Sequence, residues 1–175
     1  MCLSGCTGAL WGAAALGGHE LNLFQNPDVN LTAKNYAVAD YLIQQGKTFI
    51  EHDDVIKLEP LVNVEDKQTP AEIGSLIPEH IGARLIQLGY NVDMSALGIS
   101  EKIAPRIHKK PDIILSGHYL NNPPEFGTNA NLDISLRLVH VKQNRSIGAF
   151  DYVMPSNREI RRLSTPKPQI IILRK

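Results

Sequence analysis

Cysteine is nearly absent from this chain: 175 residues hold two, Cys2 and Cys6, both within the first six positions. The body of the sequence has none, which excludes a disulfide framework there. A Cys-x3-Cys pair without other ligand types close by is also a poor zinc site. Charge of one sign is lacking too. Eighteen basic residues balance eighteen acidic ones, so no global field draws the chain to nucleic acid. No apolar run approaches the ~20 residues of a membrane span. Residues 7–18, TGALWGAAALGG, are apolar but Gly-rich and too short. A hydrophobic share of 43% with 21% charged residues still suits a globular domain and is too apolar for disorder.

What is there begins with a polar tether, residues 19–30, and then changes character. In LTAKNYAVADYLIQQG, Leu31, Ala33, Tyr36, Ala37, Asp40, Tyr41 and Ile43 fall near helical spacing. Asn30 or Thr32 is a candidate cap, and Gly46 a candidate left-handed stop. Residues 54–66 read as a strand in which Pro60 argues for an edge, a bulge or an early end. Thr69-Pro70-Ala71-Glu72 reads as a capping box with Pro at the first helical position. Ile73, Leu76, Ile77, Ile81, Leu85 and Leu88 then trace one apolar stripe, closed by Gly89. Pro78 falls inside it and would clash with the carbonyl of Gly74, so a kink is expected there.

Tyr90-Asn91-Val92 follows as a short strand, so strand, helix and strand suggest a parallel crossover. Residues 95–110 are ambiguous, residues 111–120 read as a strand, and residues 121–131 as a loop. Leu132, Ile134, Leu136, Leu138 and His140 alternate with Asp133, Ser135, Arg137, Val139 and Val141, giving one apolar and one mostly polar face. Gln143-Asn144-Arg145 makes the turn of a hairpin that returns from Ile147 to Val153. The expected fold is an α/β (α+β) domain: a mixed β-sheet with two main helices packed on one face and a C-terminal β-hairpin.

Candidate chemistry is sparse. Gly46-Lys47-Thr48 imitates the end of a phosphate-binding loop, but Tyr41 stands where the motif needs Gly, and a helix precedes instead of a strand. Glu51-His52-Asp53-Asp54 looks like metal-ligand chemistry, yet four polar residues between helix and strand read better as a solvated loop. His118 and His140 each lie on a strand and read as half-buried packed histidines. No motif assigns catalytic residues, a cofactor or a metal. The basic stretch Arg158, Arg161, Arg162 and Lys167 has no interleaved aromatic residue, which speaks against nucleic acid.

Leu3-Ser4-Gly5-Cys6 is similar to the lipobox of bacterial lipoproteins, which is cut before the Cys so that lipid is attached to its sulfur. A lipobox closes a basic start and an apolar run, and neither precedes it here, so an upstream part of the signal is expected. Thr7 after the Cys resembles the sorting rule for the outer membrane.

Further along, Asn35-Tyr36 with Ala39-Asp40 and Leu42, then Gly74, Ile77, Glu79, Ile81, Arg84-Leu85, Gly89-Tyr90 and Val92, resemble the motifs of the FlgO family (flagellar outer-membrane protein O). The likeness covers most of residues 31–163. It implies a non-enzymatic lipoprotein, held in the outer membrane by lipid on Cys6, whose periplasmic domain supports flagellar structure or assembly and motility. Flagellar envelope proteins would be its partners, and a homo-oligomer is allowed. The arrangement is also similar to small periplasmic domains of outer-membrane lipoproteins that activate cell-wall synthases or form secretion channels. The alternative is therefore a regulator of cell-wall synthesis or a component of an envelope secretion assembly.

On this reading residues 1–6 end a lipoprotein signal, residues 7–30 form a flexible tether, residues 31–163 are the domain, and residues 164–175 are a tail. In that tail Ile170, Ile171, Ile172 and Leu173 are candidate interaction residues. Four consecutive branched apolar residues at an exposed end need cover. They either pair as a last strand of the domain's own sheet or add to a neighbouring subunit's edge.

Overall fold

The computed structural model describes residues 30–67, 70–98, 109–123 and 130–166. The lipobox with Cys6, the tether to residue 29 and the Ile170–Leu173 segment lie outside the described residues. The elements are α1 (Leu31–Gly46), β1 (Val55–Leu58), β2 (Val62–Asn63), α2 (Glu72–Gln87), β3 (Asn91–Asp93), a 3-10 turn (Ser95–Leu97), β4 (Ile113–Asn122), β5 (Asn131–His140), β6 (Arg145–Pro155) and α3 (Arg158–Ser164).

One mixed sheet runs β3-β1-β4-β5-β6, with β2 also paired to β4. Strands β1, β2 and β3 join by parallel pairs, and the β4-β5-β6 meander is antiparallel. The expected α/β class, the parallel crossover through α2 and the hairpin are therefore present. Helix α1 packs on β6, α2 on β1, β3 and β4, and α3 on α2. Ile77, Ile81 and Leu85 of α2 meet Leu115, Ile134 and Leu136 of the sheet in one core.

Alternation explains which face the helices cover. On β5, Leu132, Ile134, Leu136, Leu138 and His140 are all buried, while Asp133, Ser135, Arg137 and Val139 are only partly covered. A period of two places each set on its own side of the sheet. Two polar contacts lock α1 against α2: Arg84 donates from Nε and Nη2 to the two oxygens of Asp40 at 2.8 and 3.1 Å.

Several local expectations are corrected. The span 54–66 is two short strands, because Pro60 ends the first, and β1 is a central strand. Asn30 is the cap of α1, accepting from the Ala33 N–H at 2.8 Å. Gly46 is the last helical residue and no left-handed stop: Lys47 continues in right-handed conformation. Its small size answers crowding instead, since a Cβ there would sit 3.1 Å from Ile50 Cδ1 and 3.3 Å from Leu138 Cδ2.

Thr69 of the expected capping box lies outside the described residues, and α2 starts two residues later than expected, behind Ala71, which is buried and gives no side-chain cap. An apolar residue is used at that point because the helix start docks against the core. Gly89 does close the helix with φ +89°. Leu88 falls off the stripe, beyond the last helical residue, and is 42% exposed. Asn121, Asn122 and Asn131, expected in a loop, extend β4 and β5, and Arg145 begins β6 rather than ending the turn.

Pro78 lies buried inside an uninterrupted α2. It cannot donate to the Gly74 carbonyl. That carbonyl instead accepts the Leu61 N–H at 2.8 Å. A backbone acceptor that the helix leaves unused is thus satisfied by the strand beside it, as buried carbonyls require. The approach is close enough that a Cβ on Gly74 would sit 2.6 Å from the Leu61 carbonyl oxygen.

Candidate binding face

The helices lie on one side of the β4-β5-β6 meander, and its other side presents alternate residues of three strands. Register places His118 of β4 opposite Ser135 of β5, and Ser135 opposite Asp151 of β6. One pair further along, Leu120 faces Asp133, and Asp133 faces Val153. Val62 of β2 lies beside His118 on the same sheet. The β4, β5 and β6 residues just named border a shallow groove of about 450 Å³ together with Val64.

The floor of the groove is fixed by polar contacts. Arg137 donates to Asp151 through two nitrogens, at 2.6 and 3.1 Å, and the Ser135 hydroxyl donates to Asp151 Oδ1 at 2.6 Å. Hydrogen bonds from Arg137 and then from Ser135 hold the Asp151 carboxyl below its ordinary value. Asn122 donates to Asp133 at 2.7 Å. Around these sit apolar side chains: Val62, Val64 and Val153 are 42%, 45% and 50% exposed. That is half of the large hydrophobic residues exposed among the described ones, gathered on one face.

Serine, histidine and aspartate thus share a groove, but in the wrong order for nucleophilic catalysis. A catalytic histidine stands between the other two and takes the hydroxyl proton. Here Ser135 is the middle residue and donates a hydrogen bond to Asp151, whose charge Arg137 already engages. The arrangement is a cross-strand polar ladder, which suits binding better than proton transfer.

His118 is exposed and not half-buried, because it lies on the uncovered side of β4. His140 is buried on the helix side, and its Nδ1 has no hydrogen-bond partner among the described residues. The acidic run comes partly together: carboxylate oxygens of Glu51, Asp53 and Asp54 lie within 4.8 Å of one another, without exposed His52. Two ammonium groups share that end of the sheet. Lys109 donates to the Asp53 carbonyl at 2.8 Å. Lys109 and Lys142 reach buried Asp112 at 3.0 and 2.9 Å. Both lysines thus engage Asp112, which also accepts the Val55 N–H at 3.2 Å.

Sequence reading did not single out Ser135, Arg137 and Asp151. Alternation along β5 put the first two on one face, but the meeting with Asp151 depends on the hairpin register, which the sequence leaves open.

No family model matches the chain, and no curated protein matches it. Among solved structures, it is similar to the C-terminal domain of LpoB from Salmonella enterica at 10% identity and TM-score 0.45, covering 69% of this chain and 95% of that one. The PelC dodecamer from Paraburkholderia phytofirmans is similar at 11% identity and TM-score 0.37, covering 61% and 75%. The lipoprotein GNA1162 from Neisseria meningitidis is similar at 16% identity and TM-score 0.37, covering 61% and 89%. Likeness at this level carries no functional information.

Proposed function

We propose that this chain is the globular domain of a lipid-anchored protein of the bacterial outer membrane, facing the periplasm, and that it works by binding envelope proteins and not by catalysis. The observation that carries the reading is a sheet face left uncovered by the described residues, where exposed valines surround a polar floor built on paired groups. Such a surface offers apolar area and fixed geometry to a partner. The tether of residues 7–30 ahead of it would let the domain stand off a membrane.

Within this reading, a regulator of cell-wall synthesis or a component of a secretion assembly is preferred to a flagellar part. Many of the residues that suggested a flagellar family serve the packing of the fold. Asn35 bonds Tyr152, Asp40 bonds Arg84, Gly74 receives Leu61, and Ile77, Ile81 and Leu85 fill the core. Residues of this kind specify a fold that can serve many roles.

The anchor is tested by fusing a basic and apolar leader ahead of Met1 and fractionating cells. The unaltered chain should fractionate with the outer membrane and take up labelled fatty acid, and Cys6→Ala should release it to the periplasm. An alanine variant that stays with membranes would remove the anchor from the reading. A deletion strain should show altered wall growth or secretion. Normal wall growth and secretion with lost swimming would replace the preferred role by the flagellar one.

A further inference from the structure

We propose that this sheet face, uncovered among the described residues, is the docking surface for this chain's own C-terminal segment, residues 169–173. Three observations place it there. The first is where the described chain ends. Thr165 borders a second groove of about 440 Å³ together with Glu65, Asn121, Asn122 and Asn131, at the ends of β2, β4 and β5. Leu120 and Val64, on the rim of the open-face groove, are the immediate chain neighbours of Asn121 and Glu65. The described chain therefore ends at the same end of the sheet as the apolar groove.

The second is reach. Seven residues separate Pro166 from the end of Leu173, and an extended chain of that length spans at most ~25 Å. The groove crosses from β2 to β6, three strand spacings or ~14 Å. Pro166 and Pro168 disfavour a helical lead-in, so Val64, Leu120 and Val153 lie within reach of Ile170 to Leu173.

The third concerns the sheet edges, the other places a strand could go. The edge of β2 is taken at Leu61, whose N–H donates to Gly74 of α2. On β6 the Ala149 N–H, which points away from β5, is already bonded to Gln45 Oε1 at 2.8 Å. The end of that strand is Pro155, which has no N–H to offer. Edge β3 is only three residues long. One outward or flanking N–H is thus engaged at β2 and at β6, and β3 is short, while the apolar face is open among the described residues. In an extended segment Ile170 and Ile172 lie on one side and Ile171 and Leu173 on the other. One pair fills the groove between the valines.

The contact concerns the chain alone. Its consequence, that an envelope partner must displace the tail to use this face, rests on the proposed binding function. The test uses the full chain with Cys2→Ser and Cys6→Ser, carrying Val153→Cys and Ile172→Cys. Val153 is exposed, so the fold tolerates the change. Mild oxidation of dilute protein should give an intramolecular disulfide at least tenfold faster than a control with Ile86→Cys in place of Val153→Cys. Removal of residues 169–175 from the unaltered chain should raise binding of an apolar fluorescent dye severalfold, and Val64→Ser with Val153→Ser should cancel the rise. Crosslinks only between chains would assign the tail to a second copy, and an equal rate in the control would mean that it docks nowhere. Either result overturns the proposal, and neither bears on membrane anchoring by Cys6.

Discussion

The Tyr152 hydroxyl donates to Asn35 Oδ1 at 3.1 Å, tying the middle of edge strand β6 to the first turns of α1. Both residues are buried, and Asn35 is wholly so. The Asn35 amide nitrogen is 3.2 Å from His80 Nδ1, so three elements meet at one amide. Burial also raises the Tyr152 pKa, which keeps the phenol protonated as a donor. Tyr152→Phe should remove one donor and leave a buried acceptor unsatisfied. The expected loss is about 1–3 kcal/mol, read as a lower urea midpoint with unchanged slope. A neutral result would mean that water reaches Asn35.

Gly74→Ala should be more damaging than its size suggests. The added Cβ would lie 2.6 Å from a backbone oxygen of Leu61, which cannot swing aside as a side chain can. Strand β2 and helix α2 would have to separate, breaking the Leu61 N–H bond to residue 74. Overpacking of this kind costs about 1–3 kcal/mol, before the lost hydrogen bond is added. Thermal unfolding of Gly74→Ala beside Gly82→Ala checks the point. At Gly82 the close atoms belong to the Leu58 and Met94 side chains, which can move. Equal losses at the two sites would refute the backbone argument.

Leu85 and Leu88 separate what the stripe predicts from what the helix end allows. Leu85 is 2% exposed, and Leu85→Ala should cost roughly 2–5 kcal/mol. Leu88→Ala should cost under ~0.5 kcal/mol, as for other surface sites. Both values come from denaturant titration, and a large loss at Leu88 would mean that something covers it.

Those two leucines also show how far the sequence could be read. Period-3.6 and period-2 patterns located both main helices and the hairpin, because burial of one face is what fixes them. They placed Leu85 correctly and extended the stripe to Leu88, since periodicity does not mark where the backbone turns away. The start of α2 was misplaced for a related reason. Thr-Pro-Ala-Glu has the local chemistry of a helix start, but the docking of Ala71 into the core decides the position. The candidate face was half legible: alternation exposed Ser135 and Arg137, while Asp151 joins them through strand register across the turn.

Asp112 should give the domain an acid-sensitive end. Hydrogen bonds from Lys142 and then Lys109 hold its carboxyl far below the usual carboxylate range, assisted by the Val55 N–H. The folded pKa is depressed, so the stabilisation is present above the unfolded value near ~3.9. It is lost as pH falls below that value toward the folded one. Stability measured between about pH 5 and pH 2 should fall more steeply for the unaltered chain than for Asp112→Asn. The variant should already be weaker at neutral pH. Parallel curves would show that Asp112 contributes nothing to the acid limb.

Ser135 provides the sharpest check on a binding, non-catalytic face. A nucleophilic serine needs a base that removes its proton during attack. The Ser135 proton points at Asp151 Oδ1, and two nitrogens of Arg137 hold that carboxylate, lowering its basicity. His118, on the opposite neighbouring strand, is paired with Ser135 only by register. Fluorophosphonate probes, which label activated serines, should therefore leave Ser135 unmodified at neutral pH. Ser135→Ala should change stability by under ~1 kcal/mol, as for other exposed cross-strand pairs. Arg137→Ala releases Asp151 and is the stricter trial, because it frees the one base in contact with the hydroxyl. Labelling should still be absent, since a carboxylate alone is a weak base for an alcohol. Stoichiometric labelling of Ser135 in the unaltered chain, lost in His118→Ala, would establish a catalytic pair and overturn the binding reading.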